Sequence, residues 1–119
     1  MRRGQPLVAR VLLTAAAPVL VRVAGRYVGA TDARARIDLE RLTGQLARVE
    51  ALLDEGTIGG PVPNAADLQI GVNVAYLLLS DDLAPLIGPR ATDHAHRIAP
   101  LDAGPFPSVL PAKLLAGLA

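Results

Sequence analysis

Ala35, Leu39, Leu42, Leu46, Val49 and Leu53 recur at alternating four- and three-residue steps, with Arg34, Asp38, Arg41, Gln45 and Arg48 set between them. On a helix of about 3.6 residues per turn these two sets separate into an apolar stripe and a wet face. Thr31 and Asp32 offer oxygens to cap the segment and Gly56 supplies a stop, so the spacing predicts a helix over residues 32–55. The stripe is heptad-like but spans too few heptads to argue for a coiled coil. A helix with one face committed to a core needs other helices to cover it.

The rest of the chain supplies them. From Pro6 to Val28 it is rich in Val, Leu and Ala and ends at Gly29, which predicts a first helix near residues 6–28, kinked at Pro18 where a backbone donor is lost. Gly56 to Pro63 reads as a loop. Beyond it, Asn64 and Asp67 are spaced as a capping box, each side chain reaching the other residue's backbone N–H, and Asp67 lies at the positive end of the helix dipole. Leu68, Ile70, Val72, Val74, Ala75, Leu77, Leu78 and Leu79 leave this third helix, residues 64–80, almost no polar face, so it is expected to be surrounded by protein. Two short helices near 82–87 and 90–98 follow, with Asp81 and Asp82 expected to cap the first. A Pro-rich tail over 100–119 closes the chain, extended over the surface with a short turn at its end.

Hydrophobic residues make up 51% of the chain, yet Tyr27, Tyr76 and Phe106 are the only aromatics, so the core must be aliphatic, which favours helices over strands. At 119 residues one core is expected. The fold class read from these features is all-α, a single domain over 1–119 built as a bundle of about 4–6 helices.

Several function classes fall away. The net charge is +1 with both signs spread along the chain, so no basic stripe points to nucleic acid. The absence of cysteine removes disulfide frameworks, thiolate metal sites and cysteine nucleophiles. Arg10, Pro18 and Arg22 interrupt the apolar N-terminal run before it reaches the roughly 18 residues of a membrane span, and the expected location is cytoplasmic. His94 and His96 lie two apart on a helical segment, about 200° around the axis, so they are read as solvated surface histidines rather than as metal ligands. The acids Glu40, Glu50, Asp54 and Glu55 fall on the wet side or in the last turn of the second helix, and the sequence contains neither a phosphate loop nor a nucleophile elbow. No catalytic residue, metal ligand or cofactor-binding residue is assigned. Gln69, Asn73 and Tyr76 form a polar seam on the third helix, and Tyr27 is a further polar group on the first. Such groups either line a substrate pocket or hydrogen-bond within a bundle.

A long helix pair, a Gly/Pro loop and a cap-x-Ala-Asp box opening an apolar helix resemble the C-terminal domain of the glutathione S-transferase superfamily. In that family's signature a Ser or Thr cap precedes an aliphatic residue, Ala, Asp and another aliphatic residue. Asn64 and Ala65 stand for the first two positions here, and Ala66, Asp67 and Leu68 match directly. The stretch from Arg48 through Leu86, including Glu55 to Gly60 and Pro63 to Ile70, looks like actinobacterial members, as does the tail from Phe106 to Pro111. The resemblance implies a glutathione S-transferase-type helical bundle, the fragment of a transferase that supplies the co-substrate pocket and part of the dimer surface. Glutathione and the thiol-activating residue would belong to a thioredoxin-like domain that this chain lacks, so the chain is expected to be inactive alone, and either truncated or a piece of a longer protein. The expected partners are that thioredoxin-like domain or a homodimer mate, together with a hydrophobic small-molecule co-substrate. A non-catalytic helical interaction module is the alternative reading.

Overall fold

A computed structural model describes residues 18–19, 21–102 and 104–118. The expected start of the first helix near residue 6, and the preceding turn needed for a kink at Pro18, lie outside these residues. Residues 21–27 are helical and end at Gly29.

The Thr31 hydroxyl accepts the Arg34 N–H at 3.1 Å, an N-cap that opens the helix Asp32–Asp54, here α1. At its other end Gly56 takes a φ of +72°. Its N–H donates to the Leu53 carbonyl at 3.2 Å and the Thr57 N–H to that of Leu52 at 3.0 Å. This paired closure favours glycine because an L side chain is strained at positive φ. After the loop come α2 (Ala65–Leu78), a 3-10 turn (Ala84–Leu86), α3 (Pro89–Ile98) and α4 (Ala112–Leu115). The described residues contain no strand, and the fold is an all-α bundle.

The chain divides into two compact units, Met1–Ala35 and Arg36–Ala119. The division falls one turn into α1, before its first core residue, Leu39. In the first unit Val19, Val21, Val23, Tyr27 and Val28 are exposed. The second unit is built around Leu46, Val74, Ala75, Ile87, Ala91 and Ala95, with Leu42, Val49, Leu53 and Ile70 packed against them. This core is aliphatic throughout.

Small residues let α2 and α3 approach. A Cβ placed on Gly71 would lie 2.6 Å from Cβ of Ile98, so this glycine sets the spacing of the two helices. α2 is not enclosed on every side as its composition suggested. Asp67, Gly71, Val74 and Ala75 are buried, whereas Leu68, Val72 and Tyr76 are exposed on a face that no other element of the second unit covers. The neighbours of α2 in this unit occupy one side of it, so hydrophobic character alone overstates its burial.

Side-chain carboxylates and guanidinium groups tie segments distant in sequence. Glu50 Oε1 accepts the Ala91 N–H at 2.9 Å, which caps α3 from 41 residues away. That helix has no local side-chain cap, and Gly88 is its N-cap residue because any Cβ there would run into the Glu50 side chain. Glu50 therefore does not lie on the wet face of α1 where the sequence reading placed it. Glu50→Gln removes the negative charge from the positive end of α3 and weakens the cap. We expect a loss of roughly 0.5–1 kcal/mol in chemical denaturation, and a midpoint equal to the parent's would refute the capping role.

Asp82 also departs from expectation. It is 5% exposed and caps no helix; instead it accepts the N–H groups of Val109 at 2.7 Å and Leu110 at 2.9 Å. The expected helix at 82–87 shortens to the 3-10 turn, whose N-cap Leu83 has no oxygen to offer. The tail is tied further by Phe106, whose N–H donates to the Leu79 carbonyl at 2.6 Å and whose carbonyl accepts the Asp81 N–H at 3.0 Å. Arg36 donates to the carbonyls of Leu114 at 3.1 Å and Ala116 at 2.6 Å, satisfying the end of α4.

Candidate functional site

Asn64 adopts extended backbone, and its side-chain oxygen accepts the Asp67 N–H at 2.9 Å. In return Asp67 Oδ2 accepts the Asn64 N–H at 2.8 Å, which completes the capping box. Asn64 Nδ2 donates to the Thr57 carbonyl at 3.1 Å, so the cap also holds the preceding loop.

The second oxygen of Asp67 does something no capping box requires. Oδ1 accepts the Gly59 N–H at 2.7 Å and lies 3.4 Å from Nε2 of His94, on α3. Asp67 is 0% exposed and His94 4%. One carboxylate thus joins the loop, the head of α2 and the middle of α3. The Asn64 and Gly59 N–H groups hold the Asp67 carboxyl below its ordinary value, burial opposes them, and His94 and Arg97 nearby add to the lowering. The Asp82 carboxyl is held below its ordinary value in the same way, by the Leu110 and Val109 N–H groups.

His94 is therefore not the solvated residue that the sequence suggested. It shares a helix face with Ala91 and Ala95, each 0% exposed, and with Ile98, whereas His96 points outward. The signal was present in the three- and four-residue spacing of Ala91, His94, Ala95 and Ile98, a buried stripe that includes a histidine. Neither ring nitrogen of His94 has a hydrogen-bond partner in the structure. Among the described residues no group of three or more His, Cys, Asp or Glu side chains is placed to hold a metal ion.

Beside this cluster lies an open cavity of about 460 Å³. The glycines of the loop, Gly56, Gly59 and Gly60, line it together with Arg90, Asp93, His94 and Arg97 of α3, while Leu53 and Ile58 supply apolar surface. Arg90 pairs with Asp54. Arg97 Nη1 donates to the Gly60 carbonyl at 2.9 Å, which fastens the far side of the loop to α3.

Tyr27, Gln69, Asn73 and Tyr76 do not line this cavity. Gln69, Asn73 and Tyr76 share the exposed side of α2 with Leu68 and Val72, and Tyr27, in the first unit, is 92% exposed. No described helix is long and apolar enough to cross a membrane. No protein-family model, curated protein or solved structure matches the chain.

Proposed function

We propose that this chain is the helical domain of a glutathione S-transferase-like protein, working joined to a thioredoxin-like domain and carrying no catalytic residue of its own. The observation that supports this reading best is the Asn64–Asp67 box, set between a Gly/Pro loop and an apolar helix in the order that the resemblance describes. In such a protein the helical domain contributes the pocket for a hydrophobic co-substrate and part of the dimer surface. The Leu68, Val72 and Tyr76 face is apolar surface of the kind a second domain or subunit covers.

Two measurements test the reading. Calorimetry on the isolated chain is expected to show no glutathione binding, and conjugation assays no turnover. Joined to a thioredoxin-like domain encoded immediately upstream, the same chain should support glutathione transfer. Binding of glutathione by the isolated chain, or inactivity of the joined protein, would overturn the proposal. Separately, the exposed apolar residues lead us to expect self-association of the isolated chain in sedimentation. A compact monomer that binds no hydrophobic dye would favour the self-sufficient interaction module instead.

A further inference from the structure

We draw no further inference here: the strongest candidate, the exposed apolar face of α2 formed by Leu68, Val72 and Tyr76, carries nothing because nothing in the structure shows what covers it.

Discussion

Asp67→Ala is expected to lower the denaturation midpoint more than any other single substitution in the second unit. The change leaves the N–H groups of Gly59 and Asn64 without their acceptor and removes the charge beside His94. Asn64→Ala removes one acceptor from the Asp67 N–H and should cost roughly 0.5–2 kcal/mol, the usual range for an N-cap. The ordering of the two variants is the informative result, because a carboxylate acting only as the reciprocal half of a capping box would cost no more than its partner. The pH dependence follows from the same hydrogen bonds. The folded-state value of Asp67 is lowered, as is that of Asp82, so the unfolded chain binds protons first as acid is added. The stability they contribute is complete above the unfolded carboxylate value, near 4, and drains away as pH falls through the lowered folded values. Acid unfolding should therefore set in below about pH 4, with a shallower acid limb in Asp67→Asn. Parent and variant with the same acid limb would show that the carboxylate titrates elsewhere.

Gly71→Ala should destabilise the bundle by roughly 1–3 kcal/mol, although the same change in an exposed helix would stabilise it. The added methyl meets Cβ and both γ-carbons of Ile98, atoms too close to the backbone to swing aside, so α2 and α3 must separate. Ile98→Ala opens space at the same point. The double variant should recover part of the loss, giving a coupling energy that independent sites would lack. Simple additivity in denaturation would mean that the helices adjust without cost and that Gly71 does not set their spacing.

What could be read from the chain, and what could not, divides by distance along it. The start and end of α1 follow from Thr31 and Gly56, and the Asn64–Asp67 box from two residues three apart; both are local bargains between a side chain and its own turn. Glu50 looked like an acid on a wet helix face because the N–H that it accepts belongs to Ala91, 41 residues on. Asp82 likewise took the appearance of a helix cap, although its donors lie 27 and 28 residues downstream. His94 was misplaced for another reason: the period of its stripe was visible, but polar identity outweighed position. The apolar character of α2 was legible, while its open face was not, since composition records what a side chain tolerates and not how many neighbours reach it.

The fastening of the tail has a kinetic side. Phe106 shares two backbone hydrogen bonds with the turn after α2, and Asp82 holds the N–H groups of Val109 and Leu110, yet most of residues 104–113 are themselves exposed. Such a strap can lift away without disturbing the packed pair of α2 and α3, so the chain has a sub-global opening below its full unfolding energy. Amide exchange would reveal it as a step: Phe106, Val109 and Leu110 should exchange together, sooner than the amides of Val74 or Ala95, and sooner still once Asp82 is replaced by Asn.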